Sequence, residues 1–279
     1  MLLPLSFGLL AALGFATMFA LAKGLGSSFS GQQLVFFRSL IALLIFIPFF
    51  INNKYLLRTN RLRIHMLRAI LGLGSMVCLF AAASHIPFTI LTLVIFTMPL
   101  FVAILSFPIL KEPVGWLGFA SVIVGFIGII IAVDPLRAPL NIFVTIALLG
   151  SFLYGLAVLS IRQLSKTEPS GTMFFYFTLS CTLGSAAFLP FGWTPPNLMD
   201  FLFLCGMGIA GGIGQFAMIK AYKLAPASFV APIEYTQFIW AAVLGFIFWD
   251  EIPTLNIYLG GGLVIICTLL LSRNNYQKT

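Results

Sequence analysis

The chain has 279 residues, of which 61% are hydrophobic and only 8% are charged. Soluble domains carry about 25% charged residues, so this composition excludes a soluble fold. The formal net charge is +8, yet the basic residues lie in short links between apolar runs. This distribution argues against a nucleic-acid partner and is typical of residues that orient membrane helices.

Apolar runs of about 20 residues recur along nearly the whole chain, and this is the length that a helix needs to cross a bilayer. A membrane β-barrel would instead show alternating segments of about 10 residues. We therefore predict an all-α integral membrane protein with ten transmembrane helices. The predicted spans are 3–22, 33–51, 67–84, 88–109, 114–133, 139–160, 172–190, 200–221, 228–249 and 255–272.

Similar residues recur 139 positions apart, which predicts two five-helix repeats at 1–135 and 139–275. Five is an odd number, so the second repeat enters the membrane from the opposite side. Inverted repeats are typical of secondary transporters that work by alternating access, with the site at the repeat interface. The matched pairs include Gly72 and Gly211, Thr97 and Thr236, and the helix-end residues Glu112 and Glu251.

The distribution of Lys and Arg predicts the orientation. With both termini in the cytoplasm, twelve of the 15 basic residues fall on the inner side. Only Lys23 and Arg137 fall on the outer side, and Arg38 lies inside the second span. The positive-inside rule therefore favours cytoplasmic termini, and we predict a multi-pass protein of the bacterial inner membrane.

The ninth span carries polar residues where its repeat counterpart is apolar, with Glu234 matching Ile95 and Gln237 matching Met98. A charge inside a span costs about 3 kcal/mol, so such a residue usually faces a cavity or a partner. Glu234 is therefore a candidate for substrate binding and for proton coupling, although a structural carboxylate bonded to a neighbouring helix is the alternative. The predicted substrate-binding residues are Glu234, Gln237, Gln215, Tyr235 and Trp240, with Arg38 as a secondary candidate.

Arg38 has two interpretations. Its planar fork suits a substrate carboxylate or phosphate, and its long stem equally allows it to reach the outer interface. The estimated depths place it well away from Glu234, so no ion pair between them is expected. Pro99 and Pro232 fall inside predicted spans, where each removes a helix hydrogen bond. They predict kinks and are candidate hinges.

Neither a metal nor a cofactor is expected. The four cysteines show no paired spacing, and the Gly211-Gly212-Ile213-Gly214 segment is not a phosphate-binding loop because no Lys-Ser/Thr follows it. The chain is therefore not expected to be an enzyme, since an intramembrane enzyme acting on lipid-linked substrates would need clustered catalytic groups. A channel-like facilitator is the other rival, and the absence of a ring of charges in the sequence disfavours it.

Several segments resemble the EamA-type, ten-span branch of the drug/metabolite transporter superfamily. The resemblance implies a ten-helix bundle with a central cavity, and uptake or export of small organic solutes such as amino acids, sugars, nucleotide-like metabolites or vitamins. Two of the segments are similar to bacterial S-adenosylmethionine uptake carriers, and riboflavin carriers are an alternative. Phe15 departs from the family, which often has Trp there. The segments are Phe15-Ala16…Lys23, Phe36-Phe37-Arg38, His65 to Gly72, Pro87…Met98-Pro99-Leu100…Lys111-Glu112, Gly125 to Gly128, and Glu234-Tyr235-Thr236-Gln237…Asp250-Glu251.

Overall fold

The computed structural model describes residues 2–25, 28–83, 85–86, 91, 94–111, 115–133, 142–249, 255–256, 258–263 and 265–266. Within these ranges every regular element is helical. Glu112, Asp250 and Glu251, which the sequence places at helix ends, lie outside the described residues.

The main helices follow one another in chain order. Their bounds are α1 Leu2–Leu25, α2 Gly31–Asn52, α3 Leu62–Ala83, α4 Met98–Leu110, α5 Trp116–Val133, α6 Ile142–Ser165, α7 Ser170–Ala186, α8 Leu198–Leu224 and α9 Gln237–Trp249. Six of them, α1, α2, α3, α6, α7 and α8, are long and apolar enough to cross a membrane, and shorter apolar helices accompany them. The chain is therefore a multi-pass membrane protein.

Local sequence explains where two of the long helices begin. The hydroxyl of Ser30 accepts the backbone N–H of Gln33 at 3.4 Å at the start of α2. Before α8, Asn197 and Asp200 form a reciprocal capping box, in which the Asp200 N–H donates to the Asn197 side chain at 2.8 Å. Both caps satisfy backbone donors that the first helical turn leaves free.

The helices pack in pairs that draw the two halves of the chain together. The most extensive contacts join α1 to α8 and α3 to α6, and α2 packs against both α7 and α8. Small residues allow close approach, since a Cβ added at Gly14 would lie 2.8 Å from the Cα of Gly214. Outward-facing apolar side chains such as Ile70 and Phe107 remain exposed, as expected for a lipid-facing surface.

Two predicted elements differ in detail from the structure. Pro99 is the second residue of α4, where no helix hydrogen bond is lost, so the interruption lies before it at Phe96 and Thr97 rather than at a mid-helix kink. Pro232 lies in a 3-10 stretch, Ala231–Thr236, that precedes α9. The ninth predicted span is therefore not one continuous α-helix. Whether either proline acts as a hinge stays a prediction.

Candidate functional site

A narrow cavity lies at the centre of the helix bundle, with a volume of about 60 Å³. Its wall is mostly apolar and aromatic, and its polar side chains come from α2, α3, α6, α8 and α9. The lining includes the polar residues Arg38, Arg68, Ser75, Tyr154, Gln215 and Gln237 and the apolar residues Phe15, Met18, Phe19, Met76, Leu79, Phe80 and Phe177.

Arg38 is 1% exposed and reaches from α2 towards α8. Its Nη2 donates to the side-chain oxygen of Gln215 at 3.2 Å and lies 3.5 Å from the carbonyl of Gly211. Its Nη1 contacts the sulfur of Met76 at 3.7 Å. In the part of the chain that the structure describes, the Nε of Arg38 has no hydrogen-bond partner. Arg38 therefore faces the cavity, rather than extending to the outer interface.

Arg68 is a second buried arginine, also 1% exposed. Its Nη1 donates to the carbonyl of Met173, whereas Nε and Nη2 find no partner among the residues described. The guanidinium carbon of Arg68 lies 4.3 Å from the centre of the Phe177 ring, and that of Arg38 lies 5.9 Å from it. Such contacts with an aromatic face partly compensate a buried cation.

Glu234 lies directly behind the cavity wall rather than in it. It is 4% exposed, and its carboxylate accepts the hydroxyl of Tyr222 at 2.8 Å and that of Tyr154 at 3.3 Å. Tyr154 lines the cavity, so it connects the carboxylate to the lining. Among the described residues no cation pairs with Glu234, which leaves the two tyrosines as its hydrogen-bond donors.

The other predicted site residues separate into two groups. Gln215 and Gln237 line the cavity together with Arg38. Tyr235 points towards α5, where its hydroxyl donates to the carbonyl of Val122 at 3.3 Å. Trp240 is partly exposed and does not belong to the lining. Adjacent positions of this 3-10 stretch point in different directions, which explains why Tyr235 does not accompany Glu234.

Sequence reasoning did not name Arg68 as a site residue, because Arg68 is only the second residue of the predicted third span and was counted among the basic residues of the inner side. Helix α3 begins at Leu62, five residues before the predicted start, so Arg68 lies in its second turn. His65, assigned to a loop, is buried in the same helix. The sequence offered one indication that Arg68 is buried. Arg68 lies four residues before the repeat-matched Gly72, so both share one face of a helix.

A family comparison agrees with this architecture. The profile described as the EamA-like transporter family matches residues 2–133 and 141–273. The chain belongs to the EamA-like transporter family. The match covers nearly the whole chain and does not by itself define a substrate.

Curated relatives of this EamA-like transporter include proteins named for different solutes. The pseudopaline exporter of Pseudomonas aeruginosa is 27% identical over 95% of this chain and 94% of its own length. The S-adenosylmethionine uptake transporter of Rickettsia bellii is 25% identical over 90% of this chain and 87% of its own. The riboflavin transporter of Vibrio cholerae is 26% identical over 86% and 82% respectively.

A solved crystal structure has the same fold as this EamA-like transporter. It aligns with a TM-score of 0.81 over 97% of this chain and 98% of its own, at 16% identity. At this identity the likeness concerns the fold alone.

Polar contacts close the α2–α7 pair of this EamA-like transporter at both ends. At the start of α2, the Gln33 side chain exchanges two hydrogen bonds with the backbone of Thr194, at 2.6 and 3.1 Å, and we name this contact the Gln33 clasp. At the other end lies the Glu168 cluster, in which the carboxylate of Glu168 accepts from Thr59 at 3.0 Å and lies 3.9 Å from His65. Lys223 donates to the backbone carbonyl of Glu168 at 3.1 Å.

Proposed function

We propose that this protein is a secondary active transporter that moves a small polar organic metabolite across the bacterial inner membrane by alternating access. The observation that carries this proposal is a cavity inside an apolar, membrane-spanning bundle, whose mostly apolar wall includes buried arginine and glutamine side chains. Buried donors of Arg38, Arg68 and Gln215 line it and have no protein partner among the described residues. Polar groups in such a position are expensive and usually mark a substrate pathway.

Pairs of contacts 139 positions apart support the proposal of two related halves. A Cβ added at Gly72 would lie 2.5 Å from the Phe177 ring, and one at Gly211 would lie 3.0 Å from Nε of Arg38. Gly211 and Phe177 are the counterparts of Gly72 and Arg38 at the repeat offset. The α1–α8 contact likewise corresponds to the α6–α3 contact. Two halves of this kind favour the predicted inverted repeat, with units 1–135 and 139–275 and both termini in the cytoplasm.

The size of the cavity and the polar contacts at the two ends of the α2–α7 pair support alternating access. Binding pockets for small molecules usually measure about 300–1,000 Å³, so a cavity of about 60 Å³ must widen before a metabolite enters. In this proposal the Gln33 clasp and the Glu168 cluster open in turn. Their positions at opposite ends of the α2–α7 pair are those expected of two gates.

Glu234 is the proposed coupling residue. A buried carboxylate that is linked to the cavity through Tyr154 is well placed to take up and release a proton. In this scheme, protonation of Glu234 changes its hydrogen bonds with the hydroxyls of Tyr154 on α6 and Tyr222 on α8. The protonation state would thereby be coupled to the packing of α6 and α8 against the segment before α9. Substrate exchange without a proton is the alternative mechanism.

Counterflow in proteoliposomes tests the proposal. Vesicles that contain the purified full-length chain are loaded with an unlabelled metabolite, and accumulation of the same labelled solute is followed for amino acids, S-adenosylmethionine and riboflavin. A carrier gives saturable uptake that the internal solute accelerates, whereas a channel-like facilitator gives no acceleration. Chemical conversion of the solute would instead favour an enzyme. If no solute showed counterflow, the transporter proposal would be overturned.

A further inference from the structure

We propose that the transported solute is an organic anion whose carboxylate or phosphate binds between Arg38 and Arg68. This inference rests on the proposed transport function, because it assigns the substrate class of the same cavity. It differs from the solute in the name of one relative, because riboflavin has neither a carboxylate nor a phosphate. S-adenosylmethionine has a carboxylate on its methionine part, next to a sulfonium cation.

The charge balance of the cavity is the first argument. Arg38 and Arg68 are each 1% exposed, and neither forms an ion pair with a carboxylate in the described part of the chain. The two buried carboxylates that the structure describes have other partners, since Glu234 accepts from Tyr154 and Tyr222 and Glu168 accepts from Thr59. Two buried cations without counter-ions are costly. A bound anion would lower this cost, whereas a cationic solute would raise it.

The unused hydrogen-bond donors are the second argument. They are Nε of Arg38, Nε and Nη2 of Arg68, and Nε2 of Gln215. Guanidinium and amide nitrogens donate and do not accept. The missing partner must therefore supply several acceptor atoms at one place. A carboxylate or phosphate does this with two or more oxygens and fits the planar fork of arginine.

The apolar side chains of the cavity wall indicate the chemistry of the rest of the solute. The guanidinium carbons of Arg38 and Arg68 lie 5.9 and 4.3 Å from the centre of the Phe177 ring, which places both cations beside the same aromatic side chain of the lining. Beyond them the lining is aromatic and aliphatic, and it includes Phe15, Phe19 and Phe80. An apolar or aromatic body next to the oxyanion matches this surface.

Thermal unfolding of the purified full-length protein provides the test. The ligands are matched pairs: 3-phenylpropionate with 3-phenylpropionamide, and benzyl phosphate with benzyl alcohol, together with S-adenosylmethionine and riboflavin. A ligand that binds the folded state raises the unfolding midpoint. We expect an anion to raise it more than its neutral match, and the two pairs distinguish carboxylate from phosphate. Equal midpoints for each anion and its match would overturn the inference, as would stabilisation by riboflavin alone.

Variants locate the site. Arg38→Gln and Arg68→Gln should each weaken binding of the preferred anion about tenfold or more, because a hydrogen-bonded charge is lost. The conservative Arg68→Lys keeps the charge without the fork and should retain part of the affinity. Arg63→Gln is the matched control, since Arg63 is exposed on the same helix. Unchanged affinity in both folded glutamine variants would overturn the inference.

Counterflow separates this inference from the transport proposal. If a cationic or neutral solute were taken up, and its uptake were the same in Arg68→Gln, the transport proposal would stand. The assignment of an anionic solute would be overturned. Anion binding that needs both arginines, without any counterflow, would support the site and overturn transport.

Discussion

The guanidinium of Arg38 lies between Met76 and Gln215, with Nη1 3.7 Å from the Met76 sulfur and Nη2 3.2 Å from the Gln215 side-chain oxygen. These two neighbours occupy equivalent positions at the repeat offset of 139 residues. One of the two positions carries an amide and the other a thioether. Arg38 therefore has unequal partners on its two sides, with the stronger hydrogen-bond acceptor on α8.

Gln215→Glu should place a permanent anion on Arg38. We expect the free protein to become more stable to heat, because the buried cation gains a charged partner, by about 1–3 kcal/mol. The same carboxylate would compete with an anionic solute, so ligand stabilisation should disappear. Gln215→Met, which copies the counterpart residue, is the control and should lower the unfolding midpoint. A glutamate variant that still responds to the anion would contradict this account.

Glu234→Gln separates coupling from binding. The amide keeps the size of the side chain but does not exchange a proton, so uptake driven by a pH gradient should fall at least about tenfold while counterflow continues. Both rates are measured in the same proteoliposomes. If gradient-driven uptake were retained in the folded variant, Glu234 would not be the coupling residue. Loss of both rates would instead indicate that Glu234 takes part in binding.

The two tyrosines that hold Glu234 should differ in their effects. Tyr222 is 0% exposed and donates at 2.8 Å, so Tyr222→Phe removes the shorter of the two hydrogen bonds to a buried carboxylate and should cost about 1–3 kcal/mol of stability. Tyr154 lines the cavity and donates at 3.3 Å, so Tyr154→Phe should affect transport more than stability. Thermal unfolding and counterflow are measured for both variants. If Tyr154→Phe mainly lowered stability and Tyr222→Phe mainly lowered transport, these two assignments would be wrong.

Gly72→Ala should disturb the site through Phe177. The added Cβ would lie 2.5 Å from the ring, which must move and weaken its contact with Arg68. We expect a loss of about 1–3 kcal/mol, typical of overpacking, together with weaker solute binding. Gly24→Ala is the matched control, because a Cβ there meets nothing within 4 Å. Equal effects of the two substitutions on binding would argue against a positioning role for Phe177.

The two end contacts should control access to the cavity from opposite sides. Gln33→Ala removes both hydrogen bonds of the Gln33 clasp, so that end should open about five- to tenfold more often. The measurement is labelling of a cysteine introduced by Ser75→Cys, in a chain without native cysteines, using a maleimide that does not cross membranes. Gln32→Ala is the matched control, one position earlier in the same helix.

Glu168→Gln weakens the opposite end and should raise labelling of the same cysteine from the other face of the membrane. If either substitution increased labelling equally from both faces of the membrane, the helix bundle would be destabilised as a whole. The interpretation of the two contacts as separate gates would then be wrong.

The helical class, the membrane location and the family could be predicted from the sequence, because apolar runs and recurring residues are local features of the chain. Arg38, Gln215 and Gln237 were identified for the same reason, since each is a polar side chain inside an apolar run. Arg68 was not, because it lies near the end of its apolar run, where basic residues usually mark the membrane surface. Helix α3 extends past that point, and only its packing against α7 shows that Arg68 is buried.

The direction of each side chain was decided by the tertiary structure alone. Glu234 and Tyr235 are neighbours in the sequence, yet one bonds to two tyrosines behind the cavity and the other packs towards α5. The 3-10 turn before α9 and the rotation of each helix about its axis set these directions, and both depend on contacts between distant segments. The sequence by itself determined that polar groups are buried in this membrane protein. Which of these polar groups contact one another depends on the tertiary structure, because a buried donor is paired or unpaired according to residues that are distant in the chain and close in space.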